Sequence, residues 1–146
     1  MSLARGLIQL SLVFIVVAFG FERANADPGF WSTWSDGKAE INGYRLTMPR
    51  YGELRNGHAV LVYVTEPFSR SRRVKVDTYD ASNPDHFIAL KLNRILRFQT
   101  GFYDYALMTS LFVEPMANFQ PIKSTFTAQE WCGQVFEETR FDAAKT

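Results

Sequence analysis

The sequence predicts a mainly β protein: one antiparallel sheet, curved or closed part-way into a half-open barrel. Three observations carry that expectation. Residues 87–99 and 103–113 alternate apolar and polar side chains with period two, the spacing of a half-buried strand. Residues 58–65 (HAVLVYVT) form a run rich in Val and Tyr, which suits a pleated surface. No segment beyond residue 26 shows secure helical spacing. Six or so strands at hairpin-like intervals must therefore cover their own apolar face by curving or doubling.

The first element is an address rather than part of the fold. Arg5 supplies a positive start, residues 7–21 are almost wholly apolar, and Ala24-Asn25-Ala26 closes the segment with a small-x-small cleavage pattern. The run is shorter than the roughly 20 residues that a membrane-spanning helix needs. Residues 1–26 thus read as a cleavable signal peptide with its cleavage determinants at Ala24 and Ala26. Residues 27–146 read as a single β-rich domain, exported to the periplasm or beyond, with no stable membrane span after cleavage.

Loss of Arg5, Glu22 and Arg23 with the leader takes the formal charge from +1 to zero. General nucleic-acid binding needs an excess of Lys and Arg, so no nucleic-acid partner is expected. A single cysteine, Cys132, excludes an internal disulfide and a Cys-based zinc site. With two histidines in the chain, no metal and no cofactor is expected. Aromatic residues are abundant, 13 of them Phe, enough for a packed core and for an aromatic-lined surface besides.

Residues 27–37 (DPGFWSTWSDG) are aromatic and turn-rich. Trp31 and Trp34, three apart, would share a face in a helical turn, either covering one end of the sheet or forming a ligand platform. A strand follows through Ile41, Leu46 and Met48, ended by Pro49. The dipeptide Asn56-Gly57 predicts a tight hairpin turn into residues 58–65, with Glu66-Pro67 as the stop. Residues 68–85 read as a connection holding a short strand at Val74-Lys75-Val76. Its basic group, Ser69-Arg70-Ser71-Arg72-Arg73, reads as a solvated loop balanced by Asp77, Asp80 and Asp85, or as a contact for anionic lipid or glycan.

In residues 87–99, Ile88, Leu90, Leu92, Leu96 and Phe98 fall on one face, and Arg94 interrupts it, so a bulge or a charge partner is expected there. Thr100-Gly101 turns the chain into a strand whose face carries Tyr103, Tyr105, Leu107, Leu111 and Val113, ended by Glu114-Pro115. Residues 124–141 fit two states. Thr127-Ala128-Gln129-Glu130 matches a helix capping box, whereas Gly133 and the preceding Ser-Thr-Phe-Thr favour a strand. Strand is the reading adopted.

Several segments resemble a group of exported bacterial proteins with no established activity. These are Trp34 to Glu40 (WSDGKAE), Pro49-Arg50-Tyr51-Gly52, Tyr63 to Ser69 (YVTEPFS), Gln99-Thr100-Gly101, Tyr103-Asp104-Tyr105 and Gln129 to Gln134 (QEWCGQ). Some members carry the label septum formation inhibitor Maf. That family's N-terminal phosphate-binding motif has no counterpart here, so its nucleotide chemistry is not expected. Members of the group have more strand-like sequence after the Trp-Cys-Gly segment. The resemblance therefore implies a sheet left incomplete on its C-terminal side.

Cys132 is the one candidate nucleophile, and a thiol hydrolase needs a histidine base beside it. Nothing near His58 or His86 marks either as that base, and a free cysteine ordinarily packs as a small buried hydrophobe. Glu137 and Glu138 are adjacent, so a strand sends them to opposite faces and they cannot share acid–base work. The favoured function is therefore a non-catalytic binding or interaction module for a lipid, a glycan or an envelope polypeptide. Its contact residues would be Trp31, Trp34, Tyr103, Tyr105, Trp131 and Cys132. The alternatives are a thiol- or carboxylate-dependent hydrolase centred on Cys132 and Glu130, and a structural envelope-assembly partner using the sheet edge.

Overall fold

A computed structural model describes residues 28–142. The expected signal peptide, with its expected cleavage site at Ala24 and Ala26, and residues 143–146 lie outside the described residues. The chain opens with a short helix α1 (Pro28–Trp34), followed by β1 (Glu40–Arg50), β2 (Glu53–Ser69), β3 (Val74–Lys75), β4 (His86–Thr100), β5 (Tyr103–Glu114), β6 (Gln120–Glu130) and β7 (Gly133–Arg140). The strands form one antiparallel sheet in the order β1-β2-β4-β5-β6-β7, with β3 paired to the end of β2. The sheet is open rather than closed into a barrel, so β1 and β7 are its edges. The predicted fold class is the observed one, and residues 124–140 are two strands, β6 and β7, joined by a turn at Trp131-Cys132, with no helix.

Three local expectations are corrected. The first hairpin turns at Tyr51-Gly52, five residues before Asn56-Gly57. Both turn residues have positive φ, 54° and 76°, the geometry that matches the right-handed twist of the flanking strands. Gly57 instead sits within β2 opposite Phe98. Pro49 and Pro67 do not end strands. Pro49 lies on edge strand β1, and Pro67 lies on β2 beyond the last β1 partner, Tyr63, so a missing N–H is tolerated at both. Arg94 has neither a bulge nor an ion pair among the described residues. Its register with Leu61 and Thr109 is regular and its side chain is exposed, because the face it stands on is open to water.

That face is the concave one. Residues in register share a face, so Leu46, Gly57, Phe98 and Tyr105 stand in one row across β1, β2, β4 and β5. Parts of β1 and β4 approach within 8 Å although β2 lies between them, closer than the roughly 9.6 Å of two flat strand spacings. The sheet therefore curls toward this side. Helix α1 covers one end of the concavity. Trp34 packs against Tyr63 (6.2 Å between ring centres), the Thr65 hydroxyl donates to the Trp34 carbonyl (2.7 Å), and Phe30 meets Phe119 edge-on. The other end, toward the β1–β2, β4–β5 and β6–β7 turns, is left uncovered.

The densest packing lies on the opposite face. Phe68, Phe87, Ala89 and Ile122 form a buried cluster with Phe112 against it. The Lys123 ammonium lies over the rings of Phe68 (5.6 Å) and Phe112 (5.1 Å), a placement that offsets part of the cost of burying its charge.

The connection between β2 and β4 is pinned here rather than solvated. Arg70 pairs with Glu114 and Arg73 with Asp142, instead of with the neighbouring aspartates. Asp85 accepts hydrogen bonds from the Ser69 hydroxyl (2.6 Å) and the Ser71 amide (2.7 Å). Those donors, Ser69 first, hold the Asp85 carboxyl below the ordinary aspartate range. A depressed folded-state pKa stabilises the fold above the unfolded value and loses that contribution as pH falls through the folded one. Asp85→Asn is thus expected to lower the melting temperature at pH 7, and the gap to wild type is expected to narrow below about pH 4. Thermal unfolding of both chains at pH 7 and in acid checks this, and a gap independent of pH would contradict it.

Candidate ligand-binding groove

The uncovered end of the concave face holds an aromatic series built from three hairpins. Phe98 on β4 and Tyr105 on β5 are register partners, and their rings stack at 4.9 Å with planes 2° apart. Tyr105 continues to Tyr103 (5.7 Å), Tyr103 to Trp131 on the β6–β7 turn (5.7 Å), and Trp131 to Phe102 on the β4–β5 turn (5.5 Å). The β1–β2 turn folds over to join them. The Tyr51 and Tyr105 hydroxyls are 2.9 Å apart, and an Arg50 Nη lies 3.4 Å from the Tyr105 oxygen and 3.5 Å from that of Tyr51. The Arg50 guanidinium also lies over both rings, at 4.7 Å from Tyr51 and 5.0 Å from Tyr105.

The two phenols are driven apart. The Tyr105 hydroxyl is lowered below the usual tyrosine range, first by its hydrogen bond with Tyr51 and then by that from Arg50. Tyr51 is raised, first by the same hydrogen bond with Tyr105. Arg50 has no carboxylate within ion-pair distance among the described residues, and its charge is held by these two oxygens and rings.

Beneath this cluster lies a groove of about 340 Å³. Met48, Phe98, Leu107, Phe126, Ala128 and Val135 supply its apolar wall, with Arg50 and Glu130 as its charged members. A wider hollow of about 640 Å³ lies mostly on the opposite face, alongside edge strand β7. Arg97, Thr127, Gln129 and Gln134 interrupt its apolar wall, and it lacks the aromatic series.

The contact residues expected from the sequence are split by the fold. Tyr103, Tyr105, Trp131 and Cys132 gather at the groove end. Trp31 and Trp34 lie at the far end, where Trp34 contacts Tyr63 and the Trp31 ring nitrogen donates to the Met116 sulfur (3.3 Å). Arg50, Tyr51, Met48, Phe126 and Val135 were not expected. For Met48, Arg50 and Tyr51 the signal was the Tyr51-Gly52 turn. Once the first hairpin is closed there, Met48 and Arg50 fall in register behind it, on the face that carries Phe98.

Cys132 is not a core residue. It is exposed on the β6–β7 turn, where its amide donates to a Glu130 carboxylate oxygen (2.9 Å). Glu130 raises the thiol pKa, first by hydrogen bonding and then by its charge, opposite to the shift an activated nucleophile requires. Neither histidine hydrogen-bonds Cys132 among the described residues. His86 instead accepts the Asp80 amide (3.2 Å) at the opposite end of β4. No group of three His, Cys, Asp or Glu side chains gathers in metal-binding range among the described residues.

No family model, no curated protein and no solved structure matches this chain.

Proposed function

We propose that this chain is an exported, non-catalytic binding module whose ligand is a single-chain amphiphile, its acyl tail in the groove and its anionic head near Arg50. The groove carries the reading. Small-molecule sites are typically concave and mostly apolar, with a few fixed polar groups, and volumes start near 300 Å³. A wall of Met48, Leu107, Phe126 and Val135 has nothing to offer a sugar hydroxyl and suits a hydrocarbon chain. Arg50, oriented by Tyr51 and Tyr105, is the one cation lining that wall. A thiol hydrolase at Cys132 is disfavoured by the raised pKa and by the lack of a base hydrogen-bonded to it.

The test compares decanoate with a neutral decyl ethoxylate by titration calorimetry. Val135 is exposed on edge strand β7, so Val135→Glu should leave stability unchanged. A charge buried against the tail should weaken both ligands by about tenfold or more. Arg50→Gln is expected to weaken decanoate by about fivefold, with the ethoxylate unaffected. Equal losses for the two ligands would remove Arg50 from head-group recognition. Unchanged binding in Val135→Glu would remove the groove.

A further inference from the structure

The β1–β2, β4–β5 and β6–β7 turns close at the same end of the sheet, and each carries one large aromatic side chain at its tip. Tyr51 is 64% exposed, Phe102 80% and Trp131 70%. Leu54, two residues past the first turn, is exposed as well, at 72%. These are not scattered apolar side chains. Phe102 packs on Trp131, Trp131 on Tyr103, and Tyr51 reaches Tyr105, so the three tips share one continuous surface. Contiguous exposed apolar surface marks an interaction site, whereas single exposed residues do not.

We infer that this end docks on the surface of a lipid bilayer, with the three tips seated at the level of the headgroups. Tyr and Trp have an apolar ring and a polar atom and collect at that depth. Phe102 and Leu54, the two most exposed large hydrophobic side chains among the described residues, have no hydrogen-bonding atom to offer a sugar. Charge fixes the kind of surface. Arg45, Arg50, Arg55 and Arg97 stand at this end with Glu53, Asp104 and Glu130, four cations against three carboxylates, and Arg55 is paired to Glu53 at 2.6 Å. A polybasic end would select anionic lipid. A nearly balanced aromatic end matches a zwitterionic, phosphatidylcholine-type surface.

Docking goes beyond the groove reading and rests on it in one respect. The groove opens beside the same tips, so a docked module would draw its acyl chain from the membrane.

Trp131 provides the test, with the full chain and vesicles of phosphatidylcholine brominated on the acyl chains. The fluorescence difference between wild type and Trp131→Phe isolates this one indole, and it is blind to any contact made by the apolar N-terminal segment. Expected is a blue shift and quenching of Trp131 on adding vesicles, little changed between about 0.05 and 0.5 M salt. Replacing Tyr51, Leu54 and Phe102 together by Ser should lower the partition coefficient by roughly tenfold or more. The three side chains are exposed, and an unchanged far-ultraviolet dichroism spectrum with an unchanged unfolding midpoint verifies the fold.

An indole that is unquenched while the protein sediments with vesicles would overturn the proposal. So would quenching abolished by salt, or a Trp131 response to soluble oligosaccharide and not to vesicles. Val135→Glu separates the two readings. It should lose decanoate yet keep Trp131 quenching, and quenching in a chain that never bound decanoate would sink the groove while leaving the docking.

Discussion

Gly57→Ala is expected to cost about 3 kcal/mol or more, a large share of the roughly 5–15 kcal/mol that stabilises a domain. A Cβ built at Gly57 would stand 2.1 Å from the Arg97 carbonyl oxygen and 2.8 Å from the Phe98 Cβ. The first obstacle is backbone of the neighbouring strand, which cannot swing away as a side chain can. Relief requires β2 and β4 to separate where the sheet curls. The effect should therefore reach the groove, because Gly57 is the register partner of Phe98. Gly43→Ala is the matched control. It lies on edge strand β1, where an added Cβ meets nothing within 4 Å, and it should be neutral or slightly stabilising. Urea unfolding of the two variants decides the matter, and equal midpoints would show that the close approach at Gly57 is not what the fold depends on.

Phe68→Ala should be of similar size, about 3–5 kcal/mol. Phe68 is among the largest fully buried side chains, with Phe112 at 5.0 Å and Phe87 at 5.8 Å between ring centres. Its removal costs the transferred area and leaves a cavity that β-sheet backbone is poorly placed to fill. It also takes one of two rings from beneath the Lys123 ammonium, which is itself buried. Phe68→Leu, which keeps most of the volume, should lose about 1 kcal/mol. Chemical denaturation of the pair checks both, and an Ala variant no worse than the Leu variant would show that this cluster is not the core.

The elements were legible where the pattern is local. Alternation in residues 87–99 and 103–113 needs only the two-residue pleat, and β4 and β5 follow it with the faces expected. Residues 124–141 resolved to strands because Gly133 begins β7 after a turn at Trp131-Cys132, where a helix would have had to absorb it. Local chemistry misled in two kinds of place. Asn56-Gly57 has the composition of a hairpin turn, but Gly57 is required for the closeness of a strand 40 residues away. Pro49 and Pro67 look like stops, yet a proline ends a strand only where its missing N–H faces a partner.

By itself, the sequence determined a single curved antiparallel sheet, the strands β4 and β5 within it, and the aromatic stock from which a surface could be built. Those properties follow from nearest-neighbour rules of pleat and turn. The tertiary structure decided which aromatics meet. It sent Trp31 and Trp34 to one end of the concave face and Tyr103, Tyr105 and Trp131 to the other. It also brought Arg50 and Tyr51 across from β1 to meet β5. That meeting depends on how strongly the sheet curls and on where β2 tolerates the approach of β4. Both are properties of strands far apart in the chain, which no local pattern records.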